Sequence, residues 1–244
     1  MGRGASKASG GGGGTVQPAN TPSGISYDQF MKMSESERWQ TIDSILSNPN
    51  IVTPSSMDDS DTSKVIYALG MTNKPTVVSD AQLDGMPGKE IYRTVYEQRG
   101  SMPPPSSKDI LDQIKNGDYT YMSGAGGSMH GRAIYFATDF GDSAIYGSGE
   151  KNPQVMRAKI SPNAKIVSES NIRSQMQQKG YSPRTSSSRD NIALYALSQG
   201  IDGWFSSSYT MMVNRGVLTA SSQNKTIKSG RNTAYTWSSA NNAR

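Results

Sequence analysis

The chain has 244 residues, of which 34% are hydrophobic and 18% charged, a size that suits one domain with tails or two small domains. It contains no cysteine and a single histidine, which excludes a disulfide scaffold, thiol catalysis, cysteine-based zinc sites and multi-histidine metal sites. Its formal net charge of +5 favours polyanionic partners, among them nucleic acid, acidic proteins and phosphorylated cofactors. Chemistry is therefore left to Arg, Tyr, Ser, Thr and carboxylates. No apolar run approaches the ~20 residues of a membrane helix, and the start MGRGASKASGGGGG has no apolar leader. The expected location is the cytoplasm or the interior of a particle, with no membrane partner.

Residues 1–25 carry the Gly10–Gly14 run and few apolar side chains, so they are predicted to be disordered. The run lacks the Lys-Ser/Thr and following helix of a phosphate-cradling loop, with Thr15-Val16-Gln17-Pro18 in their place. From Ser26 the pattern turns helical. Ser34 and Glu37 form a capping box ahead of Trp39, Ile42, Ile45 and Leu46 on one face. Further helices are predicted over Thr62–Leu69, ended by Gly70, and over Asp80–Leu83, stopped at Pro87-Gly88. Residues 26–88 thus read as a helical preface.

Beyond Gly88 the periodicity shifts toward strands. Glu90–Tyr96 is rich in aromatic and β-branched residues, and Ser107–Lys115 is a helix with Ile110, Leu111 and Ile114 inward. Strands are predicted at Tyr119–Met122, Ala133–Thr138, Val155–Ile160, Ala164–Val167, Gly203–Phe205 and Tyr209–Val213, with helices at Ser170–Gln178 and Asp190–Ser198. Short strands with interspersed helices, not strictly alternating, argue for an α+β fold over residues 89–220. Residues 221–244 are polar and basic and read as a loose tail, whose Lys225, Lys228, Arg231, Tyr235 and Trp237 could grip nucleic acid, although a solvated or partner-docking tail is the simpler reading. Pro103-Pro104-Pro105 reads as a rigid spacer, and His130 as an exposed loop residue.

The densest segment is GSMHGRAIYFATDFGDSAIYG, Gly127 to Gly147, in which two tyrosines stand eleven residues apart. It resembles the nicotinamide-pocket segment of the ADP-ribosyltransferase superfamily, nearest to its poly-ADP-ribose polymerase and diphtheria-toxin branch. Gly131, Arg132, Ile134, Tyr135, Phe136, Ala137, Ser143, Ala144 and Tyr146 match that pattern in register. The resemblance implies NAD as co-substrate, with Tyr135 and Tyr146 sandwiching the nicotinamide ring, Ser143 bonding its carboxamide, and Phe136 and Ala137 lining the pocket. Two aromatic faces and one hydroxyl would orient the leaving group as the glycosidic bond breaks.

Ile91-Tyr92-Arg93-Thr94 is similar to the Tyr-Arg-Gly motif of the superfamily's arginine branch, which implies that Arg93 anchors NAD at the mouth of the same pocket. Thr94 stands where glycine is usual and would offer its backbone to the nicotinamide amide. The third motif is a strand bearing a glutamate that stabilises positive charge on the ribose. The matching strand is SSYTMMVNRGVL, and Tyr209, or Ser208 if the register slips by one, stands at the glutamate position. No Asp or Glu follows Asp202, so the carboxylate would have to come from Asp202, ranked first for its flanking Gly200 and Gly203, or from Glu150.

The resemblance covers roughly Lys89 to Leu218 and implies two packed, mostly antiparallel small sheets with NAD in the cleft between them, the helical preface covering or gating it. It implies a mono-ADP-ribosyltransferase with a protein or nucleic-acid acceptor, slowed by the missing glutamate. The glycine-rich head and basic tail look like those of bacteriophage-encoded transferases, which would place the protein in a virion or an infected bacterium. The opposing expectation is a binding or virion-associated protein that kept the fold and lost the chemistry.

Overall fold

The computed structural model describes residues 21–54, 57, 60–97, 106–117, 133–183, 189 and 191–227. The glycine run, the proline run, the strand expected at Tyr119–Met122, the segment from His130 to Arg132 and the tail from residue 228 onward lie outside the described residues.

The chain opens with helices α1 (Tyr27–Lys32), α2 (Glu35–Ser47) and α3 (Asp61–Ala68), then β1 (Thr76–Val78) and α4 (Asp80–Asp84). Serine caps start all four helices: the hydroxyls of Ser26, Ser34, Ser60 and Ser79 each accept a backbone N–H from the first turn. At Ser34 the reciprocal bond is present as well, the Glu37 carboxylate accepting the Ser34 N–H at 2.7 Å. There follow β2 (Lys89–Glu97), α5 (Ser107–Asn116), β3 (Ile134–Ala137), α6 (Phe140–Ile145), β4 (Lys151–Ile160), β5 (Ile166–Ser168) and α7 (Glu169–Gln178). The described chain closes with α8 (Ile192–Ser198), β6 (Gly203–Phe205), β7 (Tyr209–Met212), a 3-10 turn at Arg215–Val217 and β8 (Leu218–Thr226).

The class is α+β, and the strands of the described residues join in one mixed sheet of eight, in the order β1-β8-β4-β2-β3-β7-β6-β5. The β1–β8 and β5–β6 pairs at the two edges are parallel and the rest antiparallel. The centre of the sheet is its weakest seam. β2 and β3 meet at the single register pair Tyr92↔Ala137, whereas β2 and β4 run side by side from Lys89↔Ile160 to Glu97↔Lys151. Two four-stranded halves therefore hang together at one pair of residues, where the family resemblance implied two packed small sheets.

Two sequence expectations are corrected here. β8 continues through Thr226, so the first residues of the expected loose tail are strand, with Ser221 and Lys225 buried. The short parallel strand β1 lies inside the stretch read as a helical preface, and its partner is β8, at the other end of the described chain. Nor does the preface have a core of its own. Phe30, Trp39, Ile42, Val65 and Leu69 share one buried cluster with Ile91, Phe136, Met156, Trp204 and every apolar residue of α8. A second, smaller cluster of Tyr92, Phe140, Ala144, Val155 and Ile227 fixes α6 to the other face of β2.

Candidate functional site

The two-residue alternation of strands, applied to the register Ala137↔Tyr209 and Tyr135↔Met211, puts Tyr135 and Tyr209 on one face of the sheet as diagonal neighbours. Their ring centroids lie 5.4 Å apart with the planes tilted by 38°. The turn from β3 into α6 then returns Tyr146 to Tyr135. Asp139 caps that helix through the Gly141 and Asp142 N–H groups, and Tyr146 is its C-terminal cap. The Tyr146 ring meets Tyr135 edge-to-face, with centroids 5.4 Å apart and planes at 68°, and the two hydroxyls share a hydrogen bond of 2.9 Å. Three tyrosines thus form one cluster on the sheet surface, with Tyr146 half exposed at 53%.

Ser143 is held against β2 by Thr94. The Thr94 hydroxyl donates to the Ser143 carbonyl at 2.5 Å and lies 2.9 Å from the Ser143 Oγ. The methyl of the same threonine packs beside Gly147: a Cβ built there would stand 2.9 Å from Thr94 Cγ2 and 2.7 Å from Pro153 Cβ. Thr94, at the position where glycine was expected, is thus a side-chain clasp between β2 and α6. Ser143 is only 1% exposed, so its hydroxyl faces Thr94 and not an open cleft.

Arg93 differs from its expected place. Alternation along β2 turns it to the face opposite Tyr92, Thr94 and the tyrosine cluster, and it is 7% exposed. It reaches Tyr135 through the backbone, its Nη1 donating to the Tyr135 carbonyl at 2.8 Å where the β2–β3 ladder has ended. Its Nε is buried with no hydrogen-bond partner among the described residues. Burial, and secondarily the nearby Arg215 guanidinium, push the Arg93 pKa down to about 10. The guanidinium bridges the seam from the face opposite the tyrosines and does not stand at a mouth among them. Phe136 is corrected likewise: with no exposed surface it belongs to the core on the face away from Tyr135, and Ala137 is equally enclosed beside Tyr92 and Tyr209.

Asp202 does not reach the cluster. Its carboxylate accepts the Lys165 N–H at 2.8 Å and the Asn214 side-chain amide at 2.7 Å, and its carbonyl accepts the Val213 and Asn214 N–H groups. It pins the start of β6 to the end of β7, at the far end of β7 from Tyr209. Glu150 lies in the loop after α6, its N–H bonded to the Gly147 carbonyl. Among the described residues, Asp142 of α6 lies near enough to raise the Tyr135 pKa, and the carboxylate that hydrogen-bonds to the cluster is Glu169, which the sequence did not single out. It is the first residue of α7, and its Oε2 accepts the Tyr209 hydroxyl. Its Oε1 pairs with Arg173 Nε at 2.7 Å. Desolvation first, then the bond to Glu169, push the Tyr209 phenol up to about 12; burial and the bond to Tyr146 raise that of Tyr135 as well.

The structure thus groups Tyr135, Tyr146 and Tyr209 on one face of the sheet, buries Ser143 against Thr94 on that side, leaves Arg93 behind the sheet, and separates Asp202. Comparison of the chain with protein-family models, with curated proteins and with solved structures finds no match. No helix among the described residues is long and apolar enough to cross a membrane.

Proposed function

We propose that the tyrosine surface binds the nicotinamide end of NAD and that the protein transfers ADP-ribose from NAD to a protein or nucleic-acid acceptor. The observation that supports this reading most is the Tyr135–Tyr146 pair: two aromatic rings, eleven residues apart in sequence and carried by separate elements, meet edge-to-face with their hydroxyls bonded. A flat amide-bearing ring suits such a place, because aromatic faces hold it by stacking and a hydroxyl fixes its amide. In the edge-to-face contact the rings leave no slot between them. Tyr146 is the exposed partner, so ligand entry consists of breaking one hydroxyl–hydroxyl bond and turning one surface side chain. Arg93 serves this site from behind by fixing the Tyr135 backbone. In the reaction the C–N glycosidic bond breaks with its electron pair leaving on nicotinamide, and the acceptor heteroatom bonds the anomeric carbon and gives up its proton.

The test is NAD binding and nicotinamide release by the purified chain, followed by transfer of adenylate-labelled ADP-ribose to a bacterial lysate. Tyr146→Ala is expected to weaken NAD binding by about 1–3 kcal/mol, the usual worth of stacking one flat ring on an aromatic side chain. Equal affinity in parent and variant removes the site. A second reading, a binding protein that has lost the chemistry, is favoured by the seclusion of Ser143 at 1% exposure; binding of NAD without nicotinamide release would select it.

A further inference from the structure

We propose that Glu169, acting through Tyr209, is the positioning residue that supplies negative charge to the site. The inference rests on the nicotinamide reading of the tyrosine surface and adds to it a group from a different element. Departure of nicotinamide leaves positive charge on the ribose ring, and a fixed negative group in a poorly hydrated place lowers that barrier. β7 carries no carboxylate, and both oxygens of Asp202 are taken by a structural turn. Glu169 comes from the edge of the sheet instead. It follows β5 directly, and α7 starts there with Glu169 at its positive N-terminal end, a favourable place for a carboxylate.

Two contacts fix this carboxylate in advance of any ligand. Arg173, one helical turn on, pairs with Oε1 and uses its Nη1 to hold the Pro183 carbonyl at 2.8 Å, so the ion pair is braced on the following loop. Tyr209 donates to Oε2, and the Tyr209 ring lies against Tyr135. The Glu169 side chain is 16% exposed, so water screens it little. A phenol that gives its hydrogen to a carboxylate is left with a more electron-rich ring and oxygen, and it is the Tyr209 ring that lies against Tyr135.

Steady-state NAD cleavage by the full chain separates the possibilities when Glu169→Gln and Arg173→Gln are compared. Glu169→Gln keeps the shape and an acceptor for Tyr209 but removes the charge; it is expected to lower kcat by about a hundredfold to a thousandfold, with KM little changed. Arg173→Gln breaks the same ion pair while keeping the carboxylate, and is expected to lower kcat far less. Equal losses in the two variants would show a merely structural ion pair and overturn the inference, as would parental kcat in Glu169→Gln. If Glu169→Gln unfolds at the assay temperature, Glu169→Asp takes its place: the retracted charge should lower kcat at constant KM, and unaltered kcat overturns the proposal. A parent chain that neither binds nor cleaves NAD would remove the nicotinamide reading itself and this inference with it, whereas parental turnover that survives loss of the charge removes this inference alone.

Discussion

Three side chains converge on Tyr135, each through a different part of it: Arg93 on the carbonyl, Tyr146 on the hydroxyl and Tyr209 on the ring. The phenols in this cluster have unequal partners, and their titration should show it. Tyr209 has a folded pKa of about 12 against an ordinary value of 10.0. Its neutral form is favoured by the fold, so the stability it contributes is complete below pH 10.0 and is lost as pH rises through about 12. Among the 12 tyrosines of the chain, ultraviolet titration should therefore resolve a late-ionising class. Tyr209→Phe should remove one phenol from that class. Glu169→Gln should instead return one phenol toward the ordinary range, since the carboxylate is a cause of the rise second only to burial. A titration curve unchanged by Glu169→Gln would mean that the Tyr209–Glu169 bond does not form in solution.

At the scale of elements, the site depends on how closely α6 lies on β2. Tyr92 and Phe140 meet edge-to-face at 5.6 Å, Thr94 clasps Ser143, and Gly147 lets the chain pass between Thr94 and Pro153. Gly147→Ala would set a methyl 2.7 Å from Pro153 Cβ, 2.9 Å from Thr94 Cγ2 and 3.2 Å from Ile227 Cδ1. All three neighbours are packed, and overfilling of this kind costs about 1–3 kcal/mol. Chemical denaturation should show that loss, and α6 should lift from β2 and take Tyr146 off Tyr135. Unaltered stability would mean that the clasp is looser than its distances imply. Elements of this sort were legible in unequal measure. The Ser34–Glu37 capping box and the glycine stop at Gly70 encode their helices within a few residues, and both form as read. β8 was hidden because SSQNKT is polar, and its pairing with β4 and β1 comes from distant chain. Glu169 was hidden for a related reason: it stands forty residues from Tyr209, and only the order of β5, β6 and β7 in the sheet brings them together. The nearness of Tyr135 to Tyr146 was implied by the family resemblance of their segment, but the face to which Arg93 turns depends on the β2–β3 register, which the sequence does not state.

At the scale of the molecule, the preface and the sheet share one buried cluster, and this bears on whether residues 26–88 are a cover that can be removed. α8 is buried on every side, with Ile192 through Ser198 all enclosed, and α2, α3 and α7 surround it. Trp39 of α2 stands 6.5 Å from Tyr195 of α8 and 6.0 Å from Tyr181. Deleting the preface would expose that helix and strip β8 of its parallel partner. Phe30, Trp39, Ile42, Val65, Ile66 and Leu69 alone are each at most 4% exposed. At about 1.5–3 kcal/mol for each buried large apolar side chain, their loss amounts to roughly 10 kcal/mol or more. Whole domains are stable by only about 5–15 kcal/mol, so the remainder should not hold its fold. A chain starting at Lys89 is therefore expected to be insoluble or to unfold without a cooperative transition, while the full chain melts in one step by calorimetry. A soluble, cooperatively folding chain from Lys89 that still bound NAD would show the opposite: a separable helical cover over an independent domain, with the shared cluster worth far less than its burial implies.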